Sequence, residues 1–275
     1  MRKNDIVATV ESLLDKARIR RPPVDLDIIA QSQGVKKVER VRMGSVLGMT
    51  TQTRTGFNIR LNSRVPMKER FTYAHEIAHT LLMPPSWKSG GVHRRTQSAG
   101  DALERLCDQI AAEILMPLRW ARPVVRRGRP GAGSVVRMAQ TFNTSLQAAA
   151  VRLAELSGRF LGISCWRANA QSQSLMWEAG DRDLCAHVRP LIDRGHGPRL
   201  DAVDHALRCK HSVVWQGPAV GFNSAQLVEL LGLGSKPSRR MIVVVRNGFP
   251  EVEFGVLQAA LHRTCSYQPS ATRVA

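Results

Sequence analysis

Acids, aromatic residues and paired cysteines are all scarce in this sequence. The chain has five cysteines, at 107, 165, 185, 209 and 265. Their number is odd and no two form a CxxC pair, which excludes a disulfide-stapled scaffold and a paired-cysteine zinc ribbon. No apolar run is long enough to cross a bilayer as a helix. The opening MRKNDIVATVESLLDKAR lacks both an uninterrupted apolar stretch and a small-residue cleavage site. It reads as a folded helix and not as a targeting segment, so a cytoplasmic location is the expectation. Acids number 22 against 40 basic residues, a formal charge of +18. That excess points to a polyanionic partner such as DNA or RNA, although an arginine-rich proteome would give the same sign.

What is present is a chain of 275 residues with 43% hydrophobic content. That suits two modest domains. Residues 4–18 have the apolar spacing of an amphipathic helix, with Ile6, Val10, Leu13, Leu14 and Ala17 on one face. A short helix is expected over 25–33, ended by Gly34. Three strand-like segments follow within 35–62: VKKVERV, SVLGMTTQT and GFNIRLN. Helices are expected over 67–83 and 101–116, each stopped by proline, with a polar loop at 84–100 between them.

Residues 117–160 differ in charge, with eight arginines and one acid, Glu155. VVRMAQTFNTSLQAAAVRLAEL reads as helix, short turn at 143–145, helix, which resembles a helix-turn-helix. The plainer reading is a helical hairpin packed under the first domain. Arg126, Arg127, Arg129 and Arg137 are the candidate nucleic-acid contacts. Beyond 160 strands are expected at 160–168, 174–179, 211–216, 240–247 and 252–261. Helical stretches are expected near 181–193, 201–209 and 224–231, giving an α+β domain with an antiparallel sheet. The last residues, after about 265, read as frayed.

Residues 74–79 read AHEIAH. On a helix, His75 and His79 stand one turn apart and project the same way. Two imidazoles at that spacing can grip one zinc ion. Glu76 lies roughly 100° around the helix from His75. That puts it beside a metal and not on it, the place of a general base for water that the metal acidifies. Two core histidines would account for the same pattern without chemistry. A catalytic zinc needs a third protein ligand, and the next helix offers Asp101, Glu104, Asp108 and Glu113. Glu104, Cys107 and Asp108 share a face. Glu113 lies on a nearly opposed bearing. Glu104 is therefore the preferred ligand, with Glu113 next. Cys107, one turn after Glu104, could fill the open position as a fourth or inhibitory ligand, or could simply pack against the preceding helix.

HEIAHTLLMP, followed by E-x-x-C-D-x-x-A-A-E-I-L-M-P at 104–117, resembles the ImmA/IrrE zinc metallopeptidases. PPVDLDIIA with Gly34-Val35 resembles that family's opening. The resemblance covers about residues 1–157. It implies a zincin-like helical metallopeptidase domain with a small sheet, with ligands His75, His79 and Glu104 and base Glu76. In order and size the rest is similar to the longer IrrE-like members. That implies domains at 1–116, 117–160 (helix-turn-helix-like) and 161–275 (GAF-like sensor), an α+β protein throughout. Such proteins cut a partner repressor after a stress or DNA-damage signal, in radiation-response, prophage and antiphage-defence systems.

The expected substrate is thus a protein, a helix-turn-helix repressor, with single- or double-stranded DNA as a further partner and no membrane contact. GFNIRLN is the candidate edge strand for an extended substrate, through Phe57, Asn58 and Ile59. An interior strand of the sheet is the other reading. His93, Arg94 and Arg95 are candidates for stabilising a developing oxyanion. Tyr73 is expected to point away. Trp166, Trp177 and Trp215 could stack on single-stranded DNA or serve as core. The competing reading is a DNA-binding regulator on a non-proteolytic zincin scaffold, against which the intact His-Glu-His set argues.

Overall fold

The computed structural model describes residues 1–83, 92–95, 102–126, 130–158, 161–168, 173–186, 212–215, 226–233 and 239–247. The chain divides into two units, Met1–Gly158 and Arg159–Ala275. In the first, α1 (Lys3–Lys16) buries Ile6, Val10, Leu13 and Leu14, the apolar stripe of its helical repeat. Helix α2 (Leu26–Ser32) starts at Asp25, whose carboxylate accepts from the amides of Asp27 at 3.0 Å and Ile28 at 3.2 Å. Such a cap is worth about 1 kcal/mol. The helix stops at Gly34, whose φ of +80° is open to glycine at little steric cost.

Three strands then form in quick succession: β1 (Val35–Val41), β2 (Gly48–Thr53) and β3 (Gly56–Asn62). Helix α3 (Pro66–Leu82) begins on a proline, which has no amide proton to leave unbonded there. It ends where Met83 turns extended ahead of Pro84. Within the expected polar loop a short strand forms, β4 (Val92–Arg95), which pairs antiparallel with β2. The sheet order is β1-β3-β2-β4, with β1 parallel to β3 and the other pairs antiparallel.

This order corrects the assignment of β3 as the edge strand. Asn58 and Ile59 pair with Lys37 and Val38 on one side and with Thr51 and Thr50 on the other. Phe57 likewise has Val35 and Gln52 as partners. With both backbone edges used, Phe57, Asn58 and Ile59 cannot receive an added strand. Ile59 and Leu61 are instead fully buried, in the strand that packs against α3.

Helix α4 (Ala102–Leu115) lies against α3 and α1. Its buried Glu104, Cys107, Ala111 and Ile114 follow the i, i+3, i+7, i+10 spacing of one face. Pro117 ends it, and its carbonyl accepts from Trp120 and Ala121 to open α5 (Leu118–Arg126). This helix was not expected from the sequence, because Pro123 sits inside it. Then come α6 (Ala132–Phe142) and α7 (Leu146–Ser157), joined across residues 143–145. Asn143 takes the left-handed conformation that closes α6, and Ser145 caps α7 by accepting from Ala148 at 3.1 Å. These helices pack within the first unit.

The second unit holds a five-stranded antiparallel sheet: β5 (Leu161–Ala168), β6 (Gln173–Gly180), β7 (Ser212–Trp215), β8 (Gln226–Leu233) and β9 (Arg239–Asn247), in the order β6-β5-β9-β8-β7. Consecutive residues Leu161–Trp166 and Ile242–Val245 are buried, so the central strands are covered on both faces. Trp166 is core, its indole N–H donating to Ser164 Oγ at 2.9 Å. The helix expected at 224–231 is strand β8. AQLVELLGL is rich in helix formers, but pairing with β7 and β9 overrides that preference. A helix spans 182–186 of the expected 181–193, the rest lying outside the described residues. The expected helix at 201–209, the strand at 252–261 and the frayed end also lie outside them.

Candidate metal centre

Helix α3 brings His75 and His79 to one side, with their Nε2 atoms 3.1 Å apart. Helix α4 faces them with Glu104. Its Oε2 stands 3.1 Å from His75 Nε2 and its Oε1 3.3 Å from His79 Nε2. All three residues are buried, the histidines to 1% exposure. Zinc ligands about 2.0–2.1 Å from a tetrahedral ion lie about 3.3 Å from one another. The three donors therefore already have the mutual spacing that such an ion requires.

Each outer ring nitrogen has a partner on α4. His75 Nδ1 is 2.8 Å from Asp108 Oδ1. An ionised carboxylate only accepts, so Nδ1 carries the proton and Nε2 presents a lone pair inward. His79 Nδ1 has Cys107 Sγ at 3.4 Å. With both Nε2 lone pairs turned inward, the two imidazoles and the Glu104 carboxylate face one another at the spacing of ligands around a cation. The donor set fits a metal ion.

Cys107 is fully buried, and with His75 and His79 it offers donor atoms within 4.8 Å of one another. Its sulfur touches the ring nitrogen of His79 that Glu104 does not approach. Glu113, the second choice for third ligand, is engaged elsewhere. Its Oε1 accepts from the Leu118 amide at 2.6 Å and its Oε2 pairs with Arg152.

Glu76 is completely buried beside β2, where Thr50 Oγ1 donates to its Oε2 at 2.7 Å. From the sequence Asp108 was a possible third ligand, whereas the structure places it behind His75, and Thr50 was not named at all. Asp108 had shown itself on the Glu104 face, but Thr50 lies 26 residues from Glu76 in a strand of ordinary composition. Only the strand order brings it there.

Tyr73 points away from His75, His79 and Glu104. Its hydroxyl donates to Asp27 Oδ1 at 2.8 Å, and burial, reinforced by that bond, pushes its pKa well above the usual value. The side chains of His93, Arg94 and Arg95 lie outside the described residues, although their backbones pair with Thr50, Met49 and Gly48. Arg126 and Arg137 are exposed, on α5 and α6. Arg127 and Arg129 lie outside the described residues.

Residues 32–154 match the Peptidase M78 family model, the IrrE N-terminal-like domain. The chain is similar to the radiation response metalloprotease IrrE of Deinococcus deserti, 34% identical over 102 residues. That match spans 35% of this chain and 36% of the relative. A solved structure, a Mycobacterium tuberculosis transcriptional regulator, is similar in fold with a TM-score of 0.54 at 13% identity, covering 89% of this chain and 76% of that one.

Proposed function

We propose that this chain, which belongs to the ImmA/IrrE-type metalloprotease family, is a zinc endopeptidase that cuts a partner transcriptional repressor. The observation that carries the reading is the trio of inward donors from His75, His79 and Glu104 at 3.1–3.3 Å, with Glu76 next in chain to His75. These three residues would hold the ion. When bound, zinc supplies Lewis acidity that polarises a carbonyl and lowers the pKa of water toward neutrality.

Glu76 acts as the general base. Its carboxylate takes a proton from the attacking water and delivers it to the departing amine nitrogen, so the protein ends the cycle in its starting protonation state. Asp108 keeps the His75 ring in the tautomer that presents Nε2 inward. Burial of Glu76 and both histidines shuts out bulk water, which strengthens each electrostatic contact. An extended substrate finds β4, not β3, as the outer strand on the β2 side of the sheet.

The second unit is read as a GAF-like sensor that links cleavage to a stress or DNA-damage signal, single-stranded DNA being the candidate that the basic charge favours. Cleavage then releases transcription of stress or antiphage-defence genes in the cytoplasm. A double-stranded DNA reader fits less well, since α7 has one arginine, Arg152, and it is buried in an ion pair.

The test is the Glu76→Gln variant, co-expressed with a candidate helix-turn-helix repressor. The variant is expected to keep its metal, leave the repressor intact and fail to derepress. Derepression by the variant would assign the protein to non-proteolytic regulation.

A further inference from the structure

Helix α3 aims Glu76 at β2, since it lies roughly 100° around from the His75 bearing. Strand β2 is shaped to receive it. Thr50 Oγ1 lies 2.7 Å from Glu76 Oε2 and 3.1 Å from the backbone carbonyl of Glu76. One hydroxyl thus spans both ends of the residue. Two positions earlier on the same face of the strand stands Gly48. A Cβ there would overlap Glu76 Oε1, and would stand 2.9 Å from its carboxyl carbon and 2.7 Å from Thr72 Cγ2. The missing side chain leaves a notch into which the second carboxylate oxygen fits.

We propose that Gly48 and Thr50 form a cradle on β2 that fixes the orientation of the Glu76 carboxylate, as positioning residues for the general base. This rests on the metallopeptidase reading above. It adds that the sheet sets the aim of the base, while α3 and α4 set the ligands. The simpler role for Thr50 is to satisfy a buried carboxylate. The two roles differ in what happens at the metal when the bond is cut and the carboxylate turns.

The experiment uses the full chain loaded with cobalt, comparing wild type with Thr50→Val, Thr50→Ser, Gly48→Ala, Glu76→Gln and the neighbouring control Thr51→Val. Valine keeps the shape and strand preference of threonine while removing the donor. Cobalt stoichiometry and melting temperature report whether each variant folds and loads. The expected result is equal cobalt content throughout. The visible cobalt bands of Thr50→Val and Gly48→Ala should move from the wild-type position toward that of Glu76→Gln. Thr50→Ser should return to the wild-type spectrum and Thr51→Val should never leave it. On a cleaved repressor, Thr50→Val should lower kcat about 100-fold at unchanged KM, as a misaimed catalytic group does.

If Thr50→Val and Gly48→Ala keep the wild-type spectrum while Glu76→Gln departs from it, the cradle is overturned and the metal site stands. If the wild-type chain takes up no cobalt, the metallopeptidase reading itself falls. Should Gly48→Ala fail to fold, the Thr50→Val and Thr50→Ser pair decides alone.

Discussion

Arg152 on α7 donates to Glu113 on α4 and, at 3.0 Å, to the carbonyl of Met116 at the end of that helix, with both side chains buried. This fastens the helix-turn-helix-like pair to the helix that carries Glu104, Cys107 and Asp108. It uses the lone arginine of α7 internally and leaves Gln147 and Glu155 as its exposed polar residues. Removing one partner leaves the other charge buried and alone. Arg152→Ala or Glu113→Ala is expected to destabilise the first unit by roughly 3–5 kcal/mol, read by urea unfolding. Replacing both with apolar residues of similar volume should recover most of that loss.

The second prediction concerns the groups behind the histidines. Asp108→Asn weakens the hold on the His75 tautomer and should lower zinc affinity about 10- to 100-fold in competition with a chromophoric chelator. Cys107 contacts the outer nitrogen of His79, so Cys107→Ala should not raise basal cleavage. A rise in activity would show that the thiol blocks the open position.

Tyr73 gives a pH prediction. Burial first, then the bond to Asp27, raises its folded pKa above the unfolded value of about 10. The associated stability is present below about pH 10 and is lost as pH rises from there through the folded pKa. The chain has two tyrosines. Tyrosinate absorbance of the folded protein should therefore show one late titration step, absent in Tyr73→Phe. A Tyr73 that ionises in the ordinary range would contradict the buried geometry.

A nucleic-acid contact by the arginine-rich segment should run through the exposed arginines of α5 and α6. Arg126→Ala and Arg137→Ala are each expected to weaken binding of a single-stranded oligonucleotide uniformly across sequences, and to reduce the salt slope by about 1. Gln147→Ala on α7 should change nothing. Sequence-selective loss with Gln147→Ala would restore α7 as a reading helix. Fluorescence anisotropy at several salt concentrations measures this.

Much of the first unit was legible because its helices carry their own signals. The Asp25 cap, the prolines that bound α3 and the 3.6-residue stripes of α1 and α4 are all local. So was the grouping of His75, His79 and Glu104, since i, i+4 histidines and a shared face on the next helix depend only on helix geometry. Sheet order was not legible. Ile59 alternates as well in an inner strand as at an edge, so Phe57–Ile59 gave no sign of a partner on each side. Strand β4 hid in a polar loop, and β8 in a helix-like run of leucines, because each is made by pairing with distant strands. Thr50 and Gly48 escaped for the same reason: their meaning depends on which helix lies over them.

Zinc content of purified chains tests the central claim most directly. Dialysed against trace zinc, the wild-type chain should retain close to one ion, and Glu104→Ala should lose it while Glu113→Leu paired with Arg152→Met keeps it. Full zinc in Glu104→Ala, or none in the wild type, would contradict the assignment of His75, His79 and Glu104 as the metal centre.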